Sequence, residues 1–137
     1  MIRSTVFALS AGVVAGLVGC SSDDGPRTLA GTSWRLVAIQ SMDDAQGTTE
    51  VPDPSQFTVQ FGDDGRAAIR LDCNTGSGPF EAIPTGDGAS GTLTFGPVAM
   101  TLLGCPGSSL DQRVGAALPQ VRGYLFADDQ LNMSLMA

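Results

Sequence analysis

Phe57-Thr58-Val59-Gln60-Phe61-Gly62-Asp63-Asp64-Gly65-Arg66-Ala67-Ala68-Ile69-Arg70-Leu71-Asp72 is the stretch whose reading decides the fold class. Phe57, Val59 and Phe61 alternate with Thr58 and Gln60, then Ala67, Ile69 and Leu71 alternate with Ala68, Arg70 and Asp72. A period of two puts the apolar set on one face of a strand, and Gly62-Asp63-Asp64-Gly65 supplies the turn, so the stretch predicts a β-hairpin. Upstream, Trp34, Leu36 and Ala38 share one face of a strand with Val37 and Ile39 on the other, so both faces are expected to be partly buried. Gln40 to Gln56, with Asp43, Asp44, Gly47, Pro52 and Pro54, predicts a long loop.

Downstream, Cys73-Asn74-Thr75-Gly76-Ser77-Gly78 reads as turn-rich, Phe80 to Ile83 as a strand, Pro84 to Gly91 as a turn and Thr92-Leu93-Thr94-Phe95 as a strand. Leu110, Val114, Ala117, Leu118 and Val121 form one stripe at helical spacing. Ser109 and Gln112 suggest a capping box at its start, and Pro119 predicts a bend or an end. Gly123 to Ala127 and Leu131, Met133 and Leu135 flank a turn at Asp128-Asp129-Gln130, a closing hairpin. The class is α+β, a single domain with a mainly antiparallel sheet and one late helix.

Composition narrows the chemistry. The 137 residues hold no His and no Lys, which removes Ser-His-Asp and Cys-His sets, Schiff-base amines, phosphate-loop lysines and imidazole metal sites. Carboxylates in turns, hydroxyls without a base and arginines that stay protonated remain, so the chain is expected not to be an enzyme and to need no cofactor. Fourteen acids against seven basic residues give a net charge of -7, which opposes binding to nucleic acid.

Arg3 precedes a run from Val6 to Val18 that is apolar or small except for Ser10, the length of a signal-peptide core and shorter than a membrane span. The run ends in Leu17-Val18-Gly19-Cys20, which resembles the lipobox of bacterial lipoproteins. That resemblance implies removal of residues 1–19, a diacylglyceryl thioether on Cys20 and an acylated new amino terminus, placing the protein on a bacterial membrane, periplasmic or cell-surface side. Residues 20–28 then read as a lipidated tether and 29–137 as the domain. Losing Arg3 leaves six Arg against fourteen acids, a net charge of -8.

Three patterns attract attention. Gly86-Asp87-Gly88-Ala89-Ser90-Gly91 matches G-x-G-x-x-G, but a β-type run follows it, so a hairpin loop is expected rather than a dinucleotide site. The pairs Asp23-Asp24, Asp43-Asp44, Asp63-Asp64 and Asp128-Asp129 lack calcium-loop spacing and read as solvated turns or tether, with no metal expected. Cys73 and Cys105, in an exported domain, most often form a disulfide; a redox pair or metal site is the weaker alternative. Closing that loop is worth ~3.7 kcal/mol in the chain-entropy model.

At these cysteines the chain resembles the META domain family, also called HslJ-like. The matching pieces are Leu29 to Val37 with Trp34, Phe57 to Phe61, Cys73-Asn74 with Gly76, Gly78 and Phe80, Leu93 to Pro97, Thr101 to Pro106, Leu118 and Val121, then Tyr124 and Leu131. The resemblance implies a compact, curved antiparallel sheet with the helix packed on it, a disulfide between the two cysteines, and envelope, stress, motility or secretion roles without an established activity. Asp72 stands where the family usually has Gly, and Phe80 where it often has Tyr. Relatives often add a strand beyond the position of Leu135, so an unpaired edge is expected there, open to a partner.

Two functions are expected from this reading. One is a membrane-anchored module that binds or supports an envelope protein; the other is a carrier or sensor of lipid or a small apolar ligand, by analogy with secretin-pilot lipoproteins. A cavity lined by residues such as Leu93, Phe95, Leu118 and Phe126 would favour the carrier, and a filled core with an apolar patch outside would favour the partner.

Overall fold

The computed structural model describes residues 2–6, 28–41, 47–86, 88–107 and 109–135. Its strands are β1 (Ile2–Val6), β2 (Ser33–Gln40), β3 (Thr48–Glu50), β4 (Phe57–Phe61), β5 (Arg66–Leu71), β6 (Asn74–Thr85), β7 (Ser90–Phe95), β8 (Ala99–Met100), β9 (Val121–Ala127) and β10 (Gln130–Leu135), with a helix α1 (Leu110–Ala117). All pairings are antiparallel, in the order β1-β10-β9-β7-β6-β5-β4-β2-β3, with β8 also on β6. β1 pairs with β2 as well as β10, so the curved sheet closes on itself through β1.

The opening hairpin is as its alternation requires. Phe57 pairs with Leu71, Val59 with Ile69 and Phe61 with Ala67, and all six are buried. Inside the curved sheet, Phe61, Leu93, Val121 and Leu131 are 0% exposed. Phe61 meets Phe80 edge-on at 4.9 Å between ring centres, and Trp34 lies 5.7 Å from Phe126. The Trp34 indole N–H donates to Thr32 Oγ1 at 2.7 Å, and Thr32 donates to the Leu29 carbonyl at 2.6 Å, so Trp34 anchors the start of the domain with its polar atom satisfied.

Helix α1 buries Leu110 and Val114, and Leu118 follows in the same stripe. Burying such aliphatic side chains is worth ~1.5–3 kcal/mol each. The helix gives way to a 3-10 turn at Leu118–Gln120, where Pro119 has no N–H to continue it. Its start differs from expectation: Ser109 sits at φ -87° and ψ 28° and makes no side-chain cap bond. Outside the extended backbone region of a cap, its hydroxyl is not aimed at the first-turn N–H groups, and the Ser109 carbonyl instead accepts from Gln112 and Arg113.

Three other expectations need correction. The polar Gln40–Gln56 stretch contains β3, registered Ala38↔Glu50 to Gln40↔Thr48, and a 3-10 turn at Pro54–Gln56 capped by Asp53. Its side chains are mostly exposed, so no apolar alternation marked the strand. Within the stretch, positions 42–46, with the Asp43-Asp44 pair, lie outside the described residues, as do the signal and tether positions 7–27 with Cys20. The segment read as turn-rich, Asn74 to Gly78, is the first half of β6. Finally, while residues 1–19 are present the edge of β10 is not bare, because Ile2 to Thr5 pair along it from Met133 to Gln130.

Candidate functional site

Two buried polar side chains among the described residues, Asn74 and Asp111, mark the place where the fold spends hydrogen bonds inside. Asn74 opens β6 and is 5% exposed. Its Oδ1 accepts from the Leu103 backbone N–H at 2.7 Å and from Thr101 Oγ1 at 2.9 Å. Its Nδ2 donates to the Leu103 carbonyl at 3.0 Å, Cys105 Sγ at 3.3 Å and Asp111 Oδ2 at 3.4 Å. One amide therefore ties β6 to the 101–105 loop and to the first turn of α1, where an acidic side chain also suits the helix dipole.

The neighbouring motif residues serve the same loop. Cys73 and Cys105 are joined by a disulfide with Cα atoms 5.6 Å apart. Thr101 exchanges bonds with Thr75: its hydroxyl accepts from the Thr75 N–H and its own N–H donates to the Thr75 carbonyl, both at 3.0 Å. Gly76 and Gly78 leave room for this arrangement. A Cβ on Gly76 would collide with the Ala99 carbonyl oxygen, and one on Gly78 would lie 2.6 Å from that of Pro97. Glycines that suggested a turn in the sequence are in fact needed because a second chain segment lies against the strand. Asp72 adopts φ 61°, the left-handed region that favours glycine.

Between the 96–103 segment, the end of β5 and α1 lies a cleft of about 600 Å³, open to solvent on one side. Leu71, Phe95, Val98, Met100 and Leu118 give it apolar walls, Gly115 leaves a gap on the helix side, and Asn74, Thr101, Asp111 and Gln112 are its polar lining. Leu102, 93% exposed, and Leu103, 60% exposed, stand at its rim. Of the cavity residues anticipated from sequence, Phe95 and Leu118 line it, while Leu93 and Phe126 belong to the filled core. Met100, Leu102 and Gly115 were missed; two consecutive leucines in a loop, Leu102-Leu103, were the available signal.

The remaining sequence candidates are structural. Gly86 and Gly88 turn the β6–β7 hairpin at φ 55° and 85°, and a Cβ on Gly91 would meet Tyr124 at 2.8 Å. Asp64 Oδ1 accepts from the Arg66 N–H in the hairpin turn, and Asp128 and Asp129 take φ 52° and 62° in the closing turn. Among the described residues no group of three His, Cys, Asp or Glu is placed to hold a metal ion, and no helix is long and apolar enough to cross a membrane. Away from the cleft, burial raises the Tyr124 hydroxyl above its ordinary pKa, and the Ser55 side chain holds the Asp53 carboxyl below its own.

Comparison with known proteins agrees with this geometry. No curated protein sequence matches the chain. A solved structure described as the NMR structure of a protein from Burkholderia xenovorans matches with a TM-score of 0.50 and 22% identity, over 92% of this chain and 99% of that one, which shows a shared fold. The META domain model matches residues 27–137, the span that holds the Asn74 network, the disulfide and the cleft. The chain belongs to the META domain family, as an α+β domain.

Proposed function

We propose that this META domain protein is an exported lipoprotein, anchored at Cys20 to a bacterial membrane, and that its domain holds a small apolar or amphiphilic ligand in the cleft beside α1. The observation that carries the reading is the cleft itself. Its volume of about 600 Å³ lies within the ~300–1,000 Å³ of small-molecule sites, and its apolar walls with a few convergent polar groups have their usual composition. Asp111 and Gln112 give the cleft a polar end for a ligand head, while Met100 and Leu118 line the path of an acyl or ring portion. The lipobox at Leu17–Cys20 supports the anchoring, which would hold the cleft close to a source of such molecules.

A second reading rests on the exposed Leu102 and Leu103. Covering two such side chains is worth ~1.5–3 kcal/mol each, so an apolar side chain of an envelope protein would fit the same rim. Gly115→Leu separates the readings. A Cβ at position 115 makes ordinary contact with Leu71 at 3.5 Å, so a larger side chain extends into the cleft. Lipids co-purifying with the wild-type protein should be visible by native mass spectrometry and lost in Gly115→Leu. A protein that carries no lipid and takes up no medium-chain fatty acid in either form would defeat the ligand reading. Crosslinking through position 102 that survives Gly115→Leu would favour the partner instead.

A further inference from the structure

β1 occupies an interior position of the sheet, although it comes from the segment that lipoprotein processing removes. On one side Ile2, Arg3, Ser4 and Thr5 pair with Met133, Asn132, Leu131 and Gln130 of β10. On the other, Ile2 and Arg3 pair with Ile39 and Ala38 of β2, and after a register shift Ser4, Thr5 and Val6 pair with Leu36, Arg35 and Trp34. Resting on the processing proposed above, we infer that cleavage before Cys20 opens a one-strand slot between β2 and β10, and that this slot receives an extended segment of an envelope protein with a basic residue at the position of Arg3.

Simple closure of the slot is opposed by packing. β2 and β10 both run antiparallel to β1 and hence parallel to each other, two strand spacings or ~9.6 Å apart. Bringing them into direct pairing would require the sheet to contract by about half that distance around an interior packed to crystal-like density. Trp34, Leu36, Leu131 and Met133, which line the gap on the core side, are at most 5% exposed. Left open, the slot would present backbone donors and acceptors on both banks, the ordinary template for strand addition.

The banks also state what fits. Core-facing Met133 and Leu131 alternate with Asn132 and Gln130, so the occupant needs apolar or small residues at every second position. The cross-strand row Asn132–Arg3–Ala38–Glu50 places an exposed carboxylate next but one to the occupant, and the processed chain carries a net charge of -8. Both favour a basic residue in that row, while Arg35, the direct cross-strand neighbour of Thr5, favours an uncharged or acidic residue two positions on. A second copy is a poor donor: its tether, Cys-Ser-Ser-Asp-Asp-Gly-Pro-Arg-Thr over positions 20–28, is acidic, lacks alternating apolar residues and contains Gly and Pro.

The test uses the full chain with a specific protease site placed within positions 21–27, so that β1 can be released whether or not natural processing occurs. A labelled peptide of residues 1–9 should bind the cut protein after gel filtration and fail to bind the uncut one. Ser4→Pro in the peptide should weaken binding by roughly tenfold or more, because it removes a ladder donor. Arg3→Glu should weaken it several-fold. No binding, with β2 and β10 amides of the cut protein as protected as in the uncut one, would overturn the slot. Concentration-dependent dimerisation of the cut protein would assign the slot to a second copy, and equal binding of the Arg3→Glu peptide would overturn the basic position. The mass of protein extracted from native membranes scores processing separately: a chain that keeps residues 1–19 refutes the lipoprotein reading and natural opening of the slot, while the peptide results still decide whether the fold accepts a strand.

Discussion

Asn74→Ala should cost about 3 kcal/mol of stability with the disulfide intact. The substitution removes three well-formed bonds, to the Leu103 N–H at 2.7 Å, Thr101 Oγ1 at 2.9 Å and the Leu103 carbonyl at 3.0 Å. Each is worth ~1 kcal/mol net. The longer contact to Asp111 at 3.4 Å is lost as well, leaving a carboxylate that is only 9% exposed without that donor. Water can reach the Leu103 backbone, since that residue is largely exposed, which keeps the total from rising further. For a domain of this size the loss corresponds to roughly 10–20 °C in Tm. Urea unfolding followed through the lone tryptophan, Trp34, would measure it, because that ring is buried in the core. Thr101→Val should cost about 1 kcal/mol alone and show coupling of about the same size when combined with Asn74→Ala. A loss below about 1 kcal/mol for Asn74→Ala would refute the claim that this amide organises the loop.

Other expectations follow from single residues. Burial holds the Tyr124 proton above pH 10.0, so the unfolded chain loses its proton first; the resulting stability is complete below about pH 10 and falls as pH rises further. With no Lys or His to titrate there, Tyr124→Phe should flatten that alkaline fall in rapid, reversible unfolding experiments, and an unchanged slope would refute the assignment. Asp72→Gly relieves a left-handed backbone at φ 61° while adding unfolded-state freedom, so it should change stability by under about 1 kcal/mol, and a larger loss would show that the Asp72 side chain holds the turn. Gly76→Ala should destabilise by about 2 kcal/mol or more, because the new methyl collides with the Ala99 carbonyl; a neutral result in thermal melts would mean that the 97–101 segment can lift away. Cys20→Ser should release the protein from membranes or leave an uncleaved precursor, and normal cleavage with unchanged membrane fractionation would refute lipidation.

The sheet was legible wherever one face is buried and the other wet. Phe57 to Leu71 read correctly because the two sides of each strand differ in chemistry, and the helix read correctly as far as Leu118 because Leu110, Val114 and Leu118 recur at its period, whereas Val121, counted in the same stripe, opens β9. β3 was hidden for the opposite reason: Thr48–Glu50 is held by backbone pairing to β2 and presents mostly exposed side chains. The start of β6 misled because Gly76 and Gly78 serve close approach of chain to chain, a need that composition cannot distinguish from a turn. The cleft was half legible. Its walls come from residues distant in sequence, Leu71, Phe95, Met100 and Leu118, and only the arch set by Asn74 and the disulfide leaves space among them.

The cleft and the strand slot lie on opposite walls of the fold. Passing from β1 through β10, β9 and β7, or through β2, β4 and β5, the next strand in either direction is β6, which carries Asn74 and the loop over the cleft. Ligand binding and strand addition can therefore be perturbed separately: Gly115→Leu fills one seat without touching β2 or β10, and a proline in the added strand blocks the other without touching Asn74. The tether also treats the two seats differently. Leu29, 2% exposed, fixes the chain just before β2, and the nine residue steps from Cys20 span at most ~32 Å, so anchoring at Cys20 would keep the β2 bank of the slot within that reach of the bilayer. A partner offering its strand there would lie within that reach of the membrane, and the cleft, on the opposite wall of the fold, would remain accessible while the slot is filled.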